Sequence, residues 1–107
     1  MAGLNIEVVE RDGSLVLCVE GELDLATSPL LDEQLERAEA RECSRIVVDL
    51  GGVGFLDSTA LGVLAKHAAV SDKDGQRLRI ANCPPQAMRV FTVTGMVDHL
   101  PFLTDES

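Results

Sequence analysis

Apolar and polar positions alternate from the start of the chain. Ile6 to Glu10 and Leu15 to Glu20 read as two strands around Arg11-Asp12-Gly13-Ser14, and the Asp-Gly pair signals a hairpin turn. In the second strand Leu15, Leu17 and Val19 share one face and Val16 and Cys18 the other, the pattern of a strand covered on both sides. Gly21 to Ala26 leaves the strand, and Thr27-Ser28-Pro29 announces a helix. Ser28 suits the N-cap, Pro29 the first helical position, and Asp32 with Glu33 the positive end of the dipole. Leu31, Leu35 and Ala38 then recur at i, i+4 and i+7, an apolar stripe facing a sheet.

Ile46 to Leu50 is a β-branched apolar run, as in a buried parallel strand. A glycine-rich turn through Gly51, Gly52 and Gly54 leads to a second helix opening at Asp57-Ser58, with Leu61, Leu64, Ala65 and Ala68 inside. Asp72-Lys73-Asp74-Gly75 ends it. Arg77 to Ala81 alternates strictly and reads as a strand near the sheet edge. Pro84-Pro85 starts a third helix carrying Ala87, Val90, Phe91 and Thr94, with Gly95 at C′, and Leu100 to Leu103 suggests a last short strand. The order β-β-α-β-α-β-α predicts an α/β fold: an antiparallel hairpin feeding right-handed parallel crossovers, as a mixed four- to five-stranded sheet with helices packed mainly on one side.

At 107 residues, 46% of them apolar, the chain has room for one core, and residues 1–107 are expected to form a single domain. A net charge of −9 with no offsetting Lys/Arg cluster argues against nucleic acid and anionic lipid as partners. The N-terminus has neither a basic region nor a long apolar run, so the expected compartment is the cytoplasm. Cys18, Cys43 and Cys83 lack any CxxC spacing and are expected to be reduced and partly buried. No metal or cofactor motif is present in the sequence.

Candidate chemistry concentrates at Asp57-Ser58-Thr59. A glycine-rich turn that delivers a serine to a helix start places its hydroxyl at the surface, among unpaired N–H groups and partial positive charge. Such a position accepts a phosphoryl group without strain. Three readings of these residues stand beside one another. The first is a helix start built from good capping residues, with Asp57 at the N-cap. The second is a P-loop, which needs a Lys where Asp57 stands. The third is a nucleophilic serine, but G-x-S-x-G is absent, and no motif ties His67 or His99 to Ser58; both histidines are expected at the surface. Phe55 and Leu61 are expected in the core, with some exposed apolar residue beside Ser58 offering a contact surface.

Three blocks of the sequence resemble the bacterial anti-sigma factor antagonists, the single STAS-domain proteins. They are Gly21-Glu22-Leu23-Asp24-Leu25-Ala26-Thr27, then Ile46 to Leu50 with Phe55-Leu56-Asp57-Ser58-Thr59-Ala60-Leu61-Gly62-Val63-Leu64, and Ala87 to Met96. The resemblance spans essentially the whole chain. It implies a STAS-like fold and a regulator without catalysis or cofactor. The unphosphorylated protein binds an anti-sigma factor that is itself a serine-protein kinase, and so frees a sigma factor. Phosphorylation of Ser58, with Thr59 as the backup acceptor, reverses binding, and a PP2C-type phosphatase resets the switch. The resemblance places the partner-binding surface at Glu22, Asp24, Asp57, Ser58, Thr59, Leu61 and Gly62, on a monomer or weak dimer. Ala60 stands where the family commonly has Gly, and its methyl is expected to stiffen the helix start and alter the approach of a kinase. The alternatives are a small serine-dependent or nucleotide-binding enzyme, and a STAS scaffold that is never phosphorylated.

Overall fold

Asp12 and Gly13 both adopt positive φ, 52° and 82°, so the chain reverses within two residues and lays β1 (Leu4–Arg11) against β2 (Ser14–Leu23). The computed structural model describes residues 3–73 and 75–103, so Asp74, in the predicted helix stop, lies outside the described residues. β2 pairs in parallel with β3 (Arg45–Leu56), and β3 in parallel with β4 (Leu78–Ala81), giving one four-stranded mixed sheet in the order β1-β2-β3-β4. The expected element order and the edge position of Leu78–Ala81 are as the sequence pattern predicts.

Between the strands run α1 (Ser28–Glu39) and α2 (Ser58–Lys73), and α3 (Pro85–Val93) follows β4. Leu31, Leu35 and Ala38 from α1, Leu61, Leu64 and Ala68 from α2, and Ala87 and Phe91 from α3 join Leu15, Leu17, Val19, Ile46, Val48 and Ile80 in one core. The opposite face of β2 is not covered by a helix as its pattern suggested: Val16 and Cys18 are half-buried. Val9, Val16 and Val47 are cross-strand neighbours there and shade one another.

Four other expectations are corrected. β3 does not stop at Leu50 but continues through the glycines to Leu56. A Cβ at Gly52 would lie 2.7 Å from Glu20 Cγ and 3.0 Å from the Val19 carbonyl, so a glycine is what lets the two strands approach where their register shifts. Ser28 is not the N-cap of α1; Thr27 is, and Ser28 sits one residue inside the helix with its side chain buried. Asp32 lies beyond the first turn and reaches Lys66 and His67 rather than the dipole. Leu100 to Leu103 forms only a single parallel bridge between Phe102 and Ile80, held by Ile80 N–H to Pro101 O at 2.9 Å and Leu103 N–H to Ile80 O at 2.7 Å. Phe102 meets Phe91 edge-on at 5.3 Å, closing that end of the core.

Candidate functional site

The parallel pairing of β2 and β3 ends with Glu22 opposite Phe55 and Leu23 opposite Leu56. The Asp57 N–H then donates to the Leu23 carbonyl at 3.0 Å, which stitches the start of α2 to the end of β2. Two blocks more than thirty positions apart in sequence therefore meet at one edge of the sheet. Because β2 and β3 run in parallel and each feeds a helix, α1 and α2 both begin at this carboxyl edge, the place where open α/β sheets present their functional surfaces.

Asp57 caps α2. Its Oδ1 accepts hydrogen bonds from Thr59 N–H at 2.9 Å and Ala60 N–H at 3.2 Å, and its carbonyl accepts the first helical bond, from Leu61 N–H at 3.1 Å. Ser58 is the first helical residue and is exposed. Thr59 is half-buried, and Gly62 is exposed one turn further on, next to Ser58 on the helix surface.

Asp24 and Thr27 organise the neighbouring turn. Asp24 Oδ1 accepts from Ala26 N–H at 3.0 Å and Thr27 N–H at 3.1 Å. Thr27 Oγ1 accepts from Asp24 N–H at 3.0 Å and donates to the Glu22 carbonyl at 2.6 Å. Asp24 thus holds its own loop in shape, so that Leu25, 74% exposed, projects from it. Glu22 and Asp24 are half-buried.

Of the residues expected on a docking surface, Glu22, Asp24, Asp57, Ser58, Thr59 and Gly62 gather at this edge, and Leu61 does not. It is 6% exposed and belongs to the core, because it lies on the face of α2 that meets the sheet. Phe55, expected inside, is 49% exposed, because its neighbour Leu56 takes the inward position in the strand. Leu25 and Phe55 are the apolar groups of this edge that sequence reading missed, although strand alternation outward from Leu56 would have found Phe55. Ala60 is fully buried, so its methyl packs against the core rather than toward a visiting protein, contrary to the expectation that it alters a kinase's approach.

His67, expected at the surface, is 1% exposed, with Nε2 2.6 Å from Asp32 Oδ1 and Nδ1 2.6 Å from Glu39 Oε2. Both ring nitrogens are occupied, so it has none left to take a proton from Ser58. His99 is exposed on the 3₁₀ turn Met96–His99, as expected. All three cysteines are free and half-buried. Burial pushes the Cys83 thiol up to about 11, and burial followed by the Asp49 carboxylate raises Cys18, the opposite of an activated thiolate. Among the described residues no group of His, Cys, Asp or Glu is arranged to hold a metal ion, and no helix is long and apolar enough to cross a membrane.

The match to known proteins covers nearly the whole chain. Residues 5–107 match the model of the STAS domain. The chain belongs to the STAS family of anti-sigma factor antagonists. An anti-sigma-B factor antagonist of Staphylococcus aureus is 33% identical over 95 residues, 89% of this chain and 88% of that one. The crystal structure of an anti-sigma factor antagonist from Mycobacterium paratuberculosis superposes with a TM-score of 0.82 at 28% identity, covering 97% of this chain and 89% of that one. The anti-sigma factor antagonist SpoIIAA shares the fold at 21% identity in both its unphosphorylated form, TM-score 0.73 over 97% of this chain and 90% of that one, and its phosphorylated form, TM-score 0.67 over 97% and 94%. In this STAS protein, the carboxyl edge that carries Ser58 is the functional candidate.

Proposed function

We propose that this STAS protein is an anti-sigma factor antagonist, a binding module without catalysis whose choice of partner is set by phosphorylation of Ser58. The observation that carries the proposal is the exposed Ser58 at the first position of α2, beside the Asp24 turn and backed by the capped helix start. A dianion on its Oγ meets the positive end of a sixteen-residue helix, so the modification leaves the fold intact. For a docked partner the effect is opposite. Phosphorylation adds about −1.5 to −2 charges to a surface that already carries Glu22, Asp24 and Asp57. A loss of about 3 kcal/mol from repulsion and desolvation weakens binding roughly a hundredfold, sufficient to exchange one partner for another. The unmodified surface presents Leu25 and Phe55 as apolar anchors for a partner with apolar pockets, and a partner carboxylate facing Ser58 supplies the repulsion once that serine carries a phosphate.

In this reading residues 1–107 act as one domain in the cytoplasm, as a monomer or weak dimer. The partner is an anti-sigma factor with serine-kinase activity, and a PP2C-type phosphatase restores the free serine. Thr59, half-buried, is the lesser acceptor. The test is to incubate the protein with the kinase and ATP and map the modified residue by mass spectrometry. Label on Ser58 is expected, and label confined to residues other than Ser58 and Thr59 would defeat the assignment. Affinity for the anti-sigma factor is expected to fall about a hundredfold in Ser58→Asp and to persist in Ser58→Ala.

A further inference from the structure

His67 is an unusual group to find inside this core. Its side chain is 1% exposed, it projects from the middle of α2, and its two ring nitrogens touch two different carboxylates of α1, Asp32 and Glu39, each at 2.6 Å. Asp32 and Glu39 lie two turns apart on one face of α1, so the imidazole bridges them like a rung. A neutral imidazole has one donor and one acceptor. A lone pair set 2.6 Å from an ionised carboxylate oxygen is repelled, so two such contacts are satisfied together only by a ring with a hydrogen on both nitrogens.

We propose that His67 is a proton-operated clasp between α1 and α2, closed while the ring is an imidazolium and opened when one ring proton leaves to water, so that α1 loosens from α2.

The surrounding charges support this arrangement. From α1 the ring faces Asp32 and Glu39, with Glu36 beyond them, 3.8 Å from Lys66. From α2 itself, Lys66 Nζ lies 2.7 Å from the same Asp32 oxygen. From the segment before β4, Arg77 donates to the Glu39 carbonyl at 3.0 Å. Hydrogen bonds from Lys66 first and His67 second hold the Asp32 carboxyl below its usual range, so that partner is ionised. Lys66 is half-exposed and remains on Asp32 when the ring changes state, so Glu39 loses its donor or Asp32 loses one of two. Asp32 and Glu39 are half-buried, so the carboxylate that loses its donor is left partly uncompensated against the buried ring, which weakens the hold of α1 on α2.

The clasp ties together two helices that begin at the same edge of the sheet, α1 after the Asp24 turn and α2 at Ser58, so opening it loosens the helices behind that edge. That consequence rests on the reading of this edge as a docking surface. The clasp itself does not.

The experiment uses the whole protein without a partner. Nitrogen-15 NMR of the His67 ring at about pH 5.5 and about pH 8.5, on either side of the ordinary imidazole value, reads its protonation directly. Two N–H groups at the lower pH, one fewer at the higher, and backbone amide shifts in both α1 and α2 that follow the ring are expected. A ring with a single N–H at both values, or amide shifts confined to the neighbours of His67, overturns the proposal. A second arm compares unfolding of wild type, H67Q and H67R. The folding constant of wild type relative to H67Q should fall as pH rises across that range, whereas that of H67R relative to H67Q should stay flat. H99Q, which alters the exposed histidine, should leave the wild-type trend in place. A constant wild-type advantage over H67Q at both pH values also overturns it. Neither arm depends on Ser58 or its partner, so failure of the clasp and failure of the phosphorylation switch are read separately.

Discussion

The starts of α1 and α2 carry the same local signal and reach opposite ends. Each helix opens with a serine as its first residue, Ser28 four positions after Asp24 and Ser58 directly after Asp57, and each aspartate's carboxylate gathers backbone N–H groups. Ser28 is 1% exposed and its Oγ has no hydrogen-bond partner, whereas Ser58 faces solvent. Helical phase explains the difference. Ser28 lies on the same stripe as Leu31, Leu35 and Ala38, within about 60° of its centre at 3.6 residues per turn. The α2 stripe of Ala60, Leu61, Leu64, His67 and Ala68 is centred roughly 120° away from Ser58. A hydroxyl at a helix start is available for modification only when the apolar stripe of that helix points elsewhere. Of these two serines, only Ser58 meets that condition.

The largest expected effect comes from placing the same charge at both starts. Ser28→Asp should cost about 3–5 kcal/mol, because it buries an unpaired carboxylate, as read by urea denaturation. Ser58→Asp should change stability by no more than about 0.5 kcal/mol, in the stabilising direction, since an exposed anion at the N-terminus interacts favourably with the dipole. Equal losses in the two variants would remove the phase argument, and with it the claim that phosphorylation of Ser58 leaves the fold intact.

A smaller effect tests the cap. Asp57→Ala removes the acceptor for two N–H groups and should cost about 1 kcal/mol, with faster hydrogen exchange at Thr59 and Ala60 but not in α1. Exchange that quickens equally in both helices would mean that the two starts are not independent.

One turn into α1, Asp32 provides a pH test. Its carboxyl is held below the usual value by Lys66 and then His67, so its folded form binds a proton less readily than the unfolded chain does. The stability it contributes is present above the ordinary carboxylate value and is lost as pH falls through the depressed one. Melting curves below about pH 4 should therefore drop more steeply in wild type than in Asp32→Asn. Parallel curves would show that this carboxylate is not coupled to folding.

The smallest effect separates Ser28 from a structural hydrogen bond. Because its buried Oγ has no partner, Ser28→Ala should leave stability unchanged or raise it by about 1 kcal/mol. A clear loss in thermal unfolding would reveal a partner for the hydroxyl.

Much of this was legible in the order of residues. The hairpin at Asp12-Gly13, the stripes of α1 and α2 and the alternation of β4 follow from local periodicity and turn chemistry, which act over a few neighbours. So does the exposure of Ser58 on a helix capped by Asp57. Periodicity was silent where a second segment decides. Gly52 looks like a loop residue until β2 lies against it, when the space a side chain would need is filled by Glu20 and the Val19 carbonyl. Phe55 is outside because strand pairing extends to Leu56, and Leu61 is inside because the sheet lies beneath it.

The clearest division is at the two histidines. Helical phase sets His67 at the border of the α2 stripe, but the carboxylates that make its burial tolerable belong to another helix, at positions 32 and 39. The amino-acid sequence by itself determined which segments become strands and helices and which serine stands at an open helix start, because those depend on contacts within a turn or two. Only the tertiary structure decided which polar groups find partners inside and which residues share the carboxyl edge, because those depend on atoms brought together from distant parts of the chain.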